Sequence, residues 1–225
     1  MDSSRVGPMD VTITKLVHSC VLIEAGGRRT LVDPGSFTWN DDRFDLSAVE
    51  GVDTILITHE HADHVNIDLV RGVLERSNEA TIQTTEALAA ILGDHGIEAT
   101  SEGTSTFVAP HERIPSGPGP QNVGFHIAAS ISHPGDSHSF TESMPVLLMP
   151  FVAPWGSLVG GVDRTRAVSP RFVIPIHDWF LSPDGRGFLY GLARAALAED
   201  NIELVAVDDF TSVELPVEGH GARSR

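Results

Sequence analysis

Apolar positions along this chain fall into short runs, some alternating and some continuous, separated by Gly, Pro, Asp and Asn. Alternation over 11–14 and 20–25 predicts two strands, Gly26-Gly27 predicts a hairpin turn after the second, and Thr30-Leu31-Val32 predicts the returning strand. A continuous apolar run around Ile55, Leu56 and Ile57 predicts a short buried strand over 53–58. The period then changes. Val65, Leu69, Val70, Val73 and Leu74 share one stripe at helical spacing, which predicts a helix over 66–77 begun by Asp63 or Asp68. Ile82 centres another strand, and Thr85 caps a helix over 86–92 that stops at Gly93, leaving His95 in a surface loop.

The second half alternates the same two periods without repeating the sequence. Alternation over 123–131 predicts one strand running toward the Gly135-Asp136 turn, and the apolar segments 145–149 and 172–176 predict two more. Helices are expected over 157–167 and over 187–199, the latter with Leu189, Leu192, Ala193, Ala196 and Leu197 on one side. Segments 202–207 and 211–215 complete the strands. Such a mixture, with no Pro/Gly/Ser linker dividing it, predicts one α/β domain over 1–225 with frayed tails at about 1–10 and 216–225. His220 falls in the second tail.

One turn is unlike the others. His59-Glu60-His61-Ala62-Asp63-His64 places three imidazoles and a carboxylate in the loop directly after the buried strand. So many ligand-type side chains on one strand end need a shared partner, and a divalent cation suits neutral imidazole nitrogen and carboxylate oxygen. Further along, His111 follows residues 106–110, Asp136 lies in His133-Pro134-Gly135-Asp136, and His177 ends the run 172–176. His126 stands as a rival to His111.

The loop resembles the H-x-H-x-D-H motif of the metallo-β-lactamase superfamily at every position. Leu16-Val17-His18-Ser19-Cys20 with Leu31-Val32-Asp33-Pro34 resembles the opening hairpin of its UlaG-like branch of small metal-dependent hydrolases, and the likeness runs from about Val11 to about Trp179. The resemblance implies an αββα sandwich, two mixed β-sheets face to face with helices outside. It implies a first ion on His59, His61 and His111, a second on Asp63, His64 and His177, and Asp136 shared between them. Zinc is the first choice, with manganese and iron compatible. A metal-bridging hydroxide would then attack a small ester, lactone or phosphoester, with Asp63 and Asp136 at the reacting centre. His18 is assigned beside the metals or to a structural role, and His133 to orienting Asp136. Asp33 is expected to tie down the loop below the site, and Trp155, Asp178 and Trp179 to line the pocket. A phosphodiesterase or phospholipase-like activity on a lipid head group, or a non-catalytic metal- or ligand-binding protein, are the alternatives.

Composition narrows the partners. A formal net charge of −16 disfavours nucleic acid, whose binding draws on Lys and Arg. The 40 residues between Asp136 and His177 leave no room for the inserted domain of related nucleases. A small-molecule substrate is therefore expected, with a homo-oligomer compatible. No segment has the length of a membrane span or an N-terminal apolar leader, so a cytoplasmic protein is expected. The single Cys20, in a strand pattern, reads as a core residue rather than a nucleophile.

Overall fold

The computed structural model describes residues 9–103 and 105–217. Strands β1 (Met9–Lys15), β2 (Val21–Ala25), β3 (Arg28–Val32), β4 (Thr54–Leu56) and β5 (Thr81–Gln83) join the final strand β12 (Thr211–Val217) in one six-stranded sheet of order β12-β1-β2-β3-β4-β5. The second sheet, also six-stranded, contains β6 (Thr106–Phe107), β7 (Gly124–Ile127), β8 (Ile131–His133), β9 (Val146–Pro150), β10 (Phe172–Ile176) and β11 (Glu203–Leu204) in the order β11-β10-β9-β8-β7-β6. Both are mixed. Hairpins make β1, β2 and β3 antiparallel, while β3, β4 and β5 run parallel because helical crossovers separate them.

Side-chain alternation sorts the core into layers. Val11, Ile13, Val21, Ile23, Val32 and Leu56 from the first sheet meet Phe125, Ile131, Val146, Leu148, Ile174 and Ile176 from the second between the sheets. On the outer face of the first sheet, Leu22, Leu31 and Ile55 pack with residues of α2 (Ile67–Arg76) and α3 (Glu86–Asp94). Leu147, Met149 and Val173 do the same beneath α4 (Leu158–Val168) and α5 (Pro183–Ala198). The arrangement is the expected αββα sandwich. All five residues of β9 and of β10 are buried, as parallel strands covered on both faces require.

Several boundaries differ from the sequence reading. Asn66, rather than Asp63 or Asp68, caps α2, its side chain accepting the Leu69 N–H at 2.9 Å. The single strand expected over 123–131 is a hairpin, β7 and β8, turning at Ala128 and Ala129 with φ of 50° and 51°. Helix α5 starts at Pro183, four residues before the predicted start, with Ser182 as its cap. Short helix α1 (Ser36–Trp39), a 3-10 turn at Leu46–Val49 and the two-residue β6 carry too little periodicity to have been expected. Met9, Asp10, Pro216 and Val217, expected to lie in or beside frayed tails, are paired strand residues, Met9 with Val217 and Asp10 with Pro216. His220 lies outside the described residues. Cys20 is buried, and burial pushes its thiol up to about 12. No helix among the described residues is long and apolar enough to cross a membrane.

Candidate metal centre

Two loops from the first sheet make one wall of the site. The Thr58 N–H at the end of β4 donates to Asp33 Oδ1 at 2.7 Å, and the chain then turns sharply, with the His64 and Val65 amides both donating to the His61 carbonyl. The neighbouring loop lies close against it, Ser36 N–H donating to Ala62 O at 2.7 Å. Gly35 makes that approach possible, because a Cβ there would overlap the Asp63 carbonyl. The second sheet supplies Asp136 after β8 and His177 after β10.

The result is two adjoining groups of ligand-type atoms, each within 4.8 Å of one another: His59, His61, His111 and Asp136 in one, His18, Asp63, His64 and His177 in the other. Asp136 joins them. Its Oδ1 lies 3.1 Å from His64 Nε2 and 3.3 Å from His177 Nε2, while Oδ2 lies 3.5 Å from His111 Nε2 and 3.9 Å from His59 Nε2. Buried His64 Nε2, His111 Nε2 and Asp136 Oδ1 have no hydrogen-bond partner among the described residues. Buried polar atoms are rarely left so, and these converge on one space. An imidazole and carboxylate donor set of this kind fits divalent ions.

Contacts behind the groups decide which ring nitrogen faces inward. Asp33 Oδ2 accepts His64 Nδ1–H at 2.7 Å and the Thr58 hydroxyl at 2.9 Å. With its proton committed to Asp33, Thr58 Oγ1 can accept His59 Nδ1–H at 3.0 Å, and Glu112 O accepts His111 Nδ1–H. Nε2 of His59, His64 and His111 is thereby left toward the centre. Asp33 thus has the supporting role expected of it.

His18 stands in the second group by distance, but its hydrogen bonds assign it elsewhere. The Trp179 amide donates to its Nδ1 at 3.2 Å, so the ring proton sits on Nε2 and donates to Asp63 Oδ2 at 3.2 Å. His18 therefore orients Asp63, and burial lowers its pKa to about 4, keeping it neutral. Burial opposes charge on His177 as well, yet the Asp136 carboxylate outweighs it and raises the pKa to about 9. His64 goes the same way, burial being overcome by Asp136 and Asp33. Asp136 is in turn held well below the usual carboxylate range, burial being outweighed by His64 and His177.

The remaining expectations resolve one by one. His126 hydrogen-bonds Ser132 and stacks on Phe107 at 4.4 Å, away from both groups, so His111 is the residue brought to the centre. His133 is buried with both nitrogens engaged, Nε2 with Ser19 O and Nδ1 with the Gly135 amide; it holds the turn that carries Asp136 and faces no cleft. His95 is exposed at the end of α3. Asp178, expected to line the pocket, is instead buried in an ion pair with Lys15, Nζ to Oδ2 2.7 Å, and accepts from Tyr190. Lys15 gave no signal in the sequence, because an alternating strand position shows neither its burial nor its partner. Trp179 is 51% exposed and stacks on Phe37 at 4.1 Å, and Trp155 donates to Asp136 itself.

A family model described as a beta-lactamase superfamily domain matches residues 12–177, a span that begins in β1 and ends on the last histidine of the centre. The chain belongs to the metallo-β-lactamase superfamily. Protein Rv0786c of Mycobacterium tuberculosis is 33% identical over 195 residues, 80% of this chain and 89% of that one. UPF0173 metal-dependent hydrolase Atu1317 of Agrobacterium fabrum is 31% identical over 195 residues, 83% of this chain and 78% of that one. Among solved structures, Igni18, a metallo hydrolase from Ignicoccus hospitalis, superposes with a TM-score of 0.71 at 16% identity, covering 92% of this chain and 99% of that one. A putative metal-dependent hydrolase from Parabacteroides distasonis gives 0.69 at 19% identity, over 88% and 93%. These superpositions speak for the superfamily fold, and the sequence relatives place the chain in a metal-dependent hydrolase family.

Proposed function

We propose that the protein is a dinuclear metal-dependent hydrolase of the UlaG-like branch, acting on a small ester, lactone or phosphoester. The observation that carries this reading is the Asp136 carboxylate, with one oxygen directed to each of two ligand groups. His59, His61 and His111 would hold one ion, Asp63, His64 and His177 the other, and Asp136 both. Bound divalent ions, zinc first and manganese or iron next, supply an acidified water and polarise the carbonyl or phosphoryl oxygen under attack. The chain's own contribution is placement. Asp33 and Thr58 fix the imidazole tautomers, His18 holds Asp63, and Trp155, Phe37 and Phe180 flank the centre with apolar surface. Phe180 and Trp179 are 43% and 51% exposed, which favours an apolar substituent on the substrate and keeps a lipid-like ester as the second reading.

The test is metal analysis of gently purified protein with a substrate panel. Two ions per chain and turnover of activated esters, lactones or phosphodiesters are expected. Nucleic acid as the best substrate by a wide margin would overturn the small-molecule reading, and full activity without metal the whole of it. Asp136→Asn keeps the side chain's shape but removes the charge between the ions. Activity should fall at least about a hundredfold, proportionately more than fold stability does, and the rising limb of the pH–rate profile should move to higher pH.

A further inference from the structure

Trp155 touches the centre in a way that an apolar wall does not require. Its Nε1–H donates to Asp136 Oδ2 at 2.8 Å. The indole also stands edge-on to one histidine from each ligand group, 6.0 Å from His111 and 5.7 Å from His177 between ring centroids. It is carried on a tight turn between β9 and α4, where the Gly156 amide donates to Ala153 O at 3.1 Å. His138 steadies that turn from behind, its ring 5.1 Å from the indole and its Nε2–H donating to Pro150 O at 2.7 Å.

We infer that Trp155 is a positioning residue for the shared carboxylate, fixing the plane of Asp136 so that each oxygen serves one ion; this rests on the dinuclear reading above. The backbone of Asp136 is already held, its amide by Asn122 and its carbonyl by Glu112. Those bonds leave the carboxylate free to turn, because a terminal sp³–sp² torsion has broad wells. Turned by a quarter about the Cβ–Cγ bond, the group would direct neither oxygen squarely at either ligand group. Among the described residues, the indole N–H is the one hydrogen-bond donor to this carboxylate that is not itself a ligand-type side chain, so it alone can set the plane whether or not ions are present. A carboxylate oxygen has lone pairs enough to accept this bond and face an ion as well.

Trp155→Phe keeps the ring and deletes the donor. Full-length metal-free wild type and variant should be titrated with Zn²⁺ against a chromophoric chelator. Wild type should take up two ions, and the variant should bind at least one of them at least about tenfold more weakly. Because the lost property is occupancy, excess Zn²⁺ should restore much of the variant's kcat with KM little changed. Equal uptake of two ions by both proteins overturns the inference and leaves the dinuclear reading standing; wild type taking only one ion sinks that reading and the inference with it. A second measurement needs no variant. In ¹⁵N-labelled wild type the Trp155 indole N–H should exchange with solvent more slowly than that of exposed Trp179 and shift when Zn²⁺ is added. Exchange as fast as Trp179 with no response to Zn²⁺ would equally overturn the assignment.

Discussion

Single residues at this centre differ less in kind than in what stands behind them. His111 and His126 are both histidines of the second sheet's margin, yet Glu112 O turns His111 Nε2 inward while Ser132 and Phe107 hold His126 elsewhere. His111→Ala should therefore lose one ion and most activity, and His126→Ala should keep both, as elemental analysis beside an activity assay would show. The same contacts set a pH dependence for the metal-free protein. His18 has its pKa lowered to about 4 by burial, so between about 4 and the ordinary 6.5 the unfolded chain binds more protons and stability rises with pH. His177 is raised to about 9 by Asp136 against the opposing effect of burial, so between 6.5 and about 9 the folded chain binds more protons and stability falls. The melting temperature of metal-free protein should accordingly peak near neutral pH, and a steady rise from pH 6.5 to 9 would contradict the His177–Asp136 pairing. The loop 59–64 was legible because its ligands lie in one short segment. For His18 the sequence left the role open between two readings, since that role is decided by the amide of Trp179, 161 residues away.

At the scale of elements, period and punctuation located β2, β3 and α3, where Gly26-Gly27 and Thr85 mark the ends, and the apolar stripe located α2 although its cap is Asn66 and not the expected Asp63 or Asp68. The β7–β8 hairpin escaped notice because its turn is Ala128-Ala129, both at positive φ, where Gly or Asn would have announced it. Alanine in the left-handed region costs roughly 1–2 kcal/mol, of which glycine's larger unfolded-state entropy takes back roughly 0.5–1 kcal/mol. Ala128→Gly should thus stabilise the protein by about 0.5 kcal/mol, seen as a higher denaturant midpoint at unchanged slope. A lower midpoint would mean that the surrounding sheet, rather than the turn, sets the local energy.

For the whole molecule, the centre matters because it joins the sheets. His59, His61, Asp63 and His64 follow the first sheet's β4, whereas Asp136 and His177 follow β8 and β10 of the second. Ions bound only by the folded chain stabilise it by about 4 kcal/mol at a thousandfold excess over their dissociation constant. Chelation should then lower the melting temperature by roughly 8–16 °C for a chain of this size, reversibly on adding metal back, and calorimetry that shows no change would place the ions outside the fold's stability. The ligand loop and most strands and helices were determined by the sequence itself, because each is written in neighbouring residues or in a repeated period, while the αββα layering came from the family resemblance that the loop carries. The tertiary structure alone decided that Lys15 is buried against Asp178, that Asp136 turns one oxygen to each ligand group, and that Trp155 donates to it. These contacts join strand ends and loops far apart along the chain, 163 residues for Lys15 and Asp178, and a pairing across two sheets leaves no periodic mark on either partner's neighbours.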